Sequence, residues 1–125
     1  MNIWAFYKWF DGIITPDENN TLIYWGWGAV VTLPLVGIFD EHNYLAIHNT
    51  VAALHFICDC TYSIKIGNNL KEHIAKFTGI NTTLVQCMYI NGKLMVLLTI
   101  ILFISFIAVF YVPVWEWALL VCCGL

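Results

Sequence analysis

Residues 22–39 run for eighteen positions without a charge, and only Asp40-Glu41-His42-Asn43 separates them from a second apolar stretch, 44–66. Eighteen helical residues rise about 27 Å, close to the ~30 Å hydrocarbon core of a bilayer. A connection of four residues forces the two helices to lie side by side and antiparallel. A third uncharged run, 94–112, is followed at once by Pro113. The chain is 61% hydrophobic and 10% charged, whereas soluble domains carry roughly 25% charge. The expected fold class is all-α: an integral membrane protein with three transmembrane helices (about 22–39, 44–66 and 94–112). Its 125 residues suit a single transmembrane helical domain spanning 1–125.

The flanks carry membrane-interface signals. Residues 1–10 are too short to cross but hold Trp4, Phe6, Tyr7, Trp9 and Phe10 beside Lys8. Aromatics of this kind gather where headgroups meet acyl chains, so an N-terminal interfacial helix is expected, with Trp4 and Trp9 as anchors. Thr15 or Asp17 is placed to cap the next helix. Gly26, Gly28 and Gly37 allow close helix contact, and Pro34 invites a kink. Residues 114–125, with Trp115, Glu116 and Trp117 as further interfacial candidates, are expected to be too few to cross again. They form a short C-terminal interfacial or re-entrant segment, or pack on a partner. With three spans, Lys8 and the lysines at 65, 71, 76 and 93 share one side, which the positive-inside rule assigns to the cytoplasm or matrix. The sequons at Asn19 and Asn81 then lie on that side and are expected to stay unmodified.

The middle stretch carries a stripe. At about 100° per residue, His55 falls about 20° behind His48, and Asp59 about 20° ahead, with Ala52 and Tyr62 on the same face. Ionisable groups in hydrocarbon are costly, about 2.5–3.5 kcal/mol for a central Asp on insertion scales. His48, His55, Asp59 and Tyr62 must therefore face protein, water or a cofactor. Three uses are open: hydrogen bonds to a neighbouring helix or partner, a path for protons or ions, or ligation of haem or metal. The two histidines lie about 10.5 Å apart along the axis, too far to grip one iron from both sides. His55 and Asp59, one turn apart, suit a local pair.

Other functions find little footing. A net charge of −3 with no basic patch gives nucleic acid no electrostatic purchase. There is no H-E-x-x-H, C-x-x-C or phosphate-cradling loop, and no nucleophile–base pair, so no catalytic residue and no metal site is expected and the chain is read as not an enzyme. The cysteines at 58, 60, 87, 122 and 123 read as small buried hydrophobes. The opening residues show no basic n-region or cleavage site, so no cleaved leader is expected.

The run from Phe39 through Asp40-Glu41-His42-Asn43-Tyr44 to His48, Ala52, His55 and Tyr62 resembles a segment of DRAM-like multi-span membrane proteins. That family has a glycine- and leucine-rich span ending near Phe, a short turn, then His with Ala four residues on. The stretch from Tyr111 through Trp115-Glu116-Trp117 is similar to its later Tyr-to-Glu-Trp segment. The likeness covers residues 26–66 and, more loosely, 94–118. It implies a lysosomal, Golgi or plasma-membrane protein without known catalysis, although members have more spans than this chain holds.

Taken together, the residues lead to the expectation of a small non-catalytic accessory subunit of a larger membrane complex. A mitochondrial respiratory-chain complex in the inner membrane is the setting favoured, contributing assembly, stability or lipid contacts. The alternatives are a DRAM-like endomembrane protein, or a haem- or ion-handling module built on His48, His55 and Asp59. The expected partners are other membrane-protein subunits and lipids. Bound phospholipid is expected, and no cofactor, haem included.

Overall fold

The computed structural model describes residues 2–77, 79–107, 118, 121 and 122. Among them, regular structure is helical throughout: α1 (Ile3–Phe10), α2 (Pro16–Ile38), α3 (Leu45–Glu72) and α4 (Thr82–Ile107), with a 3₁₀ turn at Ile74–Lys76. The chain divides into two compact units, Met1–Tyr62 and Ser63–Leu125.

In the first unit, local chemistry sets each helix start. Asn2 caps α1, its Oδ1 accepting the Ala5 N–H at 3.1 Å. Thr15 caps α2: its Oγ1 accepts the Glu18 N–H, and its hydroxyl lies 3.3 Å from the Glu18 carboxylate. Pro16 takes the first helical position, where no amide donor is needed. The helix thus starts six residues before the expected 22, because this cap and the acidic first turn sustain it through polar sequence. Gly12, at φ +79°, makes the reversal that folds α1 back along α2. Asn19 Nδ2 donates to the Tyr7 carbonyl at 3.0 Å. A Cβ at Gly26 would sit 3.0 Å from the Ile3 side chain, so glycine is what lets Ile3 seat there. Phe10 is fully buried, while Trp4 and Trp9 are exposed. The buried positions of α2, namely Asn19, Leu22, Gly26 and Ala29, repeat at intervals of three and four and form one inward stripe.

In the second unit, α3 and α4 cross closely through two glycines. A Cβ at Gly67 would lie 3.0 Å from Tyr89 Cα, and one at Gly92 would lie 3.1 Å from Ile64 Cα. These are backbone-to-backbone approaches that only a small residue permits. The pairings 67 with 89 and 64 with 92 run in opposite senses, so the two helices are antiparallel. Asn91 Nδ2 donates to the Cys122 carbonyl at 3.0 Å.

Among the described residues, two helices are long and apolar enough to cross a membrane: Pro16–Ile38 and Thr82–Ile104. The expected span 44–66 is not one of them. The helix is there, and it runs on to Glu72, but His48, Asn49, His55, Asp59 and Lys65 lower its average hydropathy. The expected third span begins twelve residues early, at Thr82, because Leu84, Val85, Met88 and Ile90 keep 82–93 apolar. Positions 108–112 lie outside the described residues. Cysteine burial is uneven: Cys60 and Cys122 are buried and Cys58 is half-buried, but Cys87 is exposed, against expectation.

Candidate functional site

The turn between α2 and α3 sets the register that the stripe uses. The Asp40 carboxylate accepts the Asn43 backbone N–H at 2.7 Å and its side-chain amide at 2.9 Å. The Asn43 side chain, then its amide N–H, holds the Asp40 carboxyl below the usual carboxylate range. Tyr44 N–H donates to the Asp40 carbonyl at 3.0 Å, and α3 departs antiparallel to α2.

From there the two helices pair with constant offset. His48 Nδ1 lies 2.7 Å from the Phe39 carbonyl, at the C-terminal end of α2. About two turns further along the pair, His55 Nδ1 lies 3.0 Å from the Ala29 carbonyl and 3.2 Å from Thr32 Oγ1. A further turn on, Cys58 Sγ fills the space beside Gly28, where a Cβ would be 3.0 Å away. A carbonyl oxygen can only accept, so Nδ1 carries the proton in both imidazoles. Thr32 completes the arrangement by donating its own hydroxyl to the Gly28 carbonyl at 2.7 Å, leaving a lone pair for His55. Both histidines are thus committed to α2, as polar side chains commonly are between helices in bilayers.

The rest of the stripe is buried without that satisfaction. His55 is 6% exposed, Asp59 5% and Tyr62 1%. Asp59 Oδ2 and the Tyr62 hydroxyl, about one turn apart, have no hydrogen-bond partner. The i,i+4 pairing of His55 with Asp59 does not form, because the imidazole reaches across to α2 instead. His55, Asp59 and Tyr62 are thus covered within the chain. His48 is half-buried at its outer end.

Among the described residues, no three His, Cys, Asp or Glu side chains converge as metal ligands. Trp4 and Trp9 stand exposed on α1, with Lys8 Nζ 5.1 Å from the Trp4 ring, an arrangement suited to a headgroup boundary. Trp115, Glu116 and Trp117 lie outside the described residues.

Two features escape the sequence reading. Thr32 is the first; nothing in its neighbourhood signals that His55 will choose it. The second is a pair of ammonium groups on one ring, with Lys71 Nζ 4.1 Å and Lys93 Nζ 4.4 Å from the centroid of Tyr89. Its only trace in sequence is the i,i+4 spacing of Tyr89 and Lys93.

No protein-family model, curated protein or solved structure matches this chain. What the described residues define is a helical architecture with two helices of membrane-crossing length and composition.

Proposed function

We propose that this chain is a three-span integral membrane protein and a small non-catalytic accessory subunit of a larger membrane complex. The observation that carries the reading is the outward faces of the helices. The apolar windows of α2 and α4 are only 17% and 28% buried, whereas the core helix of a water-soluble domain is mostly covered. Tyr24, Trp27, Val31 and Ile38 on α2, and Leu94, Leu97, Ile100 and Ile104 on α4, are all exposed. Acyl chains or apolar partner helices are the surroundings that such faces fit.

α3 fits the same surroundings despite its polar content. Between Leu45 and Tyr62 its exposed residues are Leu45, Ala46, Ile47, Thr50, Leu54 and Ile57. The Thr50 hydroxyl donates to the Ala46 carbonyl at 2.8 Å, so even this position presents little unmet polarity. The imidazoles and the carboxyl face inward, which is where membrane proteins keep such groups.

Two features support a subunit role. The histidines serve to fasten α3 to α2, a structural use, and the links 39–44 and 73–81 leave little chain outside the helices. We place the chain in the mitochondrial inner membrane, within a respiratory-chain complex. Native electrophoresis after mild-detergent extraction tests this: the chain should migrate with an assembly many times its 14.3 kDa. Migration as a free species refutes the subunit role. Fractionation of organelles checks the compartment, and recovery with lysosomal membranes would favour the DRAM-like alternative.

A further inference from the structure

α1 is bound to α2 at two levels. Near its C-terminal end, Asn19 Nδ2 donates to the Tyr7 carbonyl at 3.0 Å. Near its N-terminal end, the Ile3 side chain lies where a Cβ on Gly26 would be 3.0 Å away. Asn19 and Gly26 are seven residues apart, about 10.5 Å along α2. The eight residues of α1 are themselves only about 12 Å long. A helix crossing α2 at a right angle would touch it at one level. Contacts spread over nearly its whole length require α1 to run largely along α2. The sense is antiparallel, because the earlier residue of α1 meets the later residue of α2.

That direction decides the depth of α1 where α2 crosses a bilayer. Asp17 and Glu18 are the last charges on the chain before Asp40. Gly26 lies eight residues past Glu18, about 12 Å, near the middle of α2. Ile3 is thus held well beyond the charged start of α2, while Asp11 and Gly12 stay in the loop at that start. The hairpin has a polar tip, 11–20, and two arms that leave it in the same direction. Charge follows the same division: residues 3–7 carry none, and Lys8, Asp11, Asp17 and Glu18 gather toward the tip. Lys8 leans over the Trp4 ring, 5.1 Å from its centroid, a cation–π contact that offsets part of the cost of an ammonium below the surface. The start of α1 is capped, Asn2 Oδ1 accepting the Ala5 N–H, one of the donors that a helix start leaves open. Beyond Ile3 the cover stops: Val30, Leu33 and Gly37 continue the α2 face of Leu22 and Gly26 and are exposed.

We propose that α1 is a re-entrant half-helix that enters one leaflet beside the first half of α2, and not a helix lying flat among the headgroups. This rests on the membrane reading above. The partner of its outward side is the lipid of that leaflet. Trp9, close to the polar tip, meets the headgroup boundary, and Trp4, about 7.5 Å further along α1, meets acyl chains.

The test uses the full chain in dioleoyl phosphatidylcholine nanodiscs, with backbone amides followed by nuclear magnetic resonance. A water-soluble gadolinium chelate is added to one sample, and lipid bearing a nitroxide near the end of its acyl chain to another. Broadening by the chelate should be lost progressively from Phe10 to Ile3, and the nitroxide should broaden Ile3 and Trp4 as strongly as Tyr24 to Gly26. A flat helix would instead give a wave repeating every 3.6 residues or so, equal at both ends; that pattern overturns the half-helix. Gly26→Leu fills the seat of Ile3 and should convert the gradient into that wave while α2 stays shielded from the chelate. A gradient that survives this change also overturns the proposal, because the seat would not be what holds α1 at depth. The membrane reading has its own readout in the same spectra. Chelate broadening of Tyr24 to Gly26 themselves refutes that reading, whereas a shielded α2 beside a flat α1 refutes only the half-helix.

Discussion

Replacing His55 by Phe isolates the hydrogen bonds that fasten α3 to α2. The ring is close in size and stays in the same buried slot, so the change removes donors with little cavity. What is lost is one N–H shared between the Ala29 carbonyl and Thr32 Oγ1, at 3.0 and 3.2 Å. Neither acceptor is orphaned: Ala29, inside α2, still has its helical i+4 amide, and the Thr32 hydroxyl still donates to Gly28 at 2.7 Å. The full penalty of a stranded buried group, about 1–3 kcal/mol, therefore does not apply. Interhelical hydrogen bonds in membranes average about 0.6 kcal/mol and reach about 1.7 kcal/mol. A shared, fully buried donor belongs in the upper half of that range, so His55→Phe should cost about 1–1.5 kcal/mol. The assay is reversible unfolding in mixed micelles, followed by circular dichroism, in a cycle with Thr32→Val. Thr32→Val removes one of the two acceptors, so the two changes should couple by about 0.5 kcal/mol. Full additivity would mean that His55 and Thr32 do not meet. A loss above about 3 kcal/mol would mean that the imidazole holds something beyond α2.

Four other outcomes follow from the same geometry. Gly92→Ala and Gly67→Ala press a methyl to 3.1 and 3.0 Å from backbone atoms that cannot turn aside, and each should cost about 1–3 kcal/mol. Gly37→Ala, with nothing within 4 Å, should instead stabilise α2 by up to about 1 kcal/mol, the same micelle melts serving as the check. Because hydrogen bonds from Asn43 lower the Asp40 pKa, their contribution is present above the ordinary Asp value of about 3.9 and is lost as pH falls through the lowered one. Hydrogen exchange at the Asn43 amide should show protection held down to about pH 4 and lost below it, with Asp40→Asn flattening that dependence. Asp59→Leu removes a buried carboxyl whose Oδ2 has no partner, so it should leave the melting curve unchanged or raise stability by about 1–3 kcal/mol. A strong loss would show that Asp59 is engaged by a group that binds it in the intact assembly.

Much of the first unit was readable from spacing alone. The stripe 48–55–59–62 needs only a regular helix, and α3 is one. The antiparallel pairing of α2 and α3 needs only a short turn, and the residues of that turn are ones that bond their own backbone. Thr15 was one of two residues legible as the cap, and the Glu18 amide selects it. The partner of His55 was not legible. Which α2 residues face it depends on the register, and register is fixed by how Asp40 and Asn43 close the turn, to within a fraction of a helical turn. The Lys71–Tyr89–Lys93 group lies further still from sequence, since Lys71 joins the other two only after Gly67 and Gly92 have brought two distant helices into contact.

If α3 is a third span, as proposed above, it shows what an average of hydropathy leaves out. Mean hydropathy weighs every residue equally, yet a bilayer meets only those that point outward. On α3 the residues that lower the mean, His48, His55 and Asp59, are the ones turned toward protein, and the residues left outside are Leu45, Ile47, Leu54 and Ile57. The polarity that lowers α3 in an average is also what fixes it to α2, because two imidazole donors seven residues apart on α3 reach the Phe39 and Ala29 carbonyls of α2. A uniformly apolar helix would average better and pack with less definition, since in lipid apolar contact alone does not favour a neighbouring helix over acyl chains. The stripe is thus the reason α3 has a defined seat on α2, and Asp59 Oδ2 and the Tyr62 hydroxyl, continuing that face, mark the end of the seat where polar atoms go unmet among the described residues.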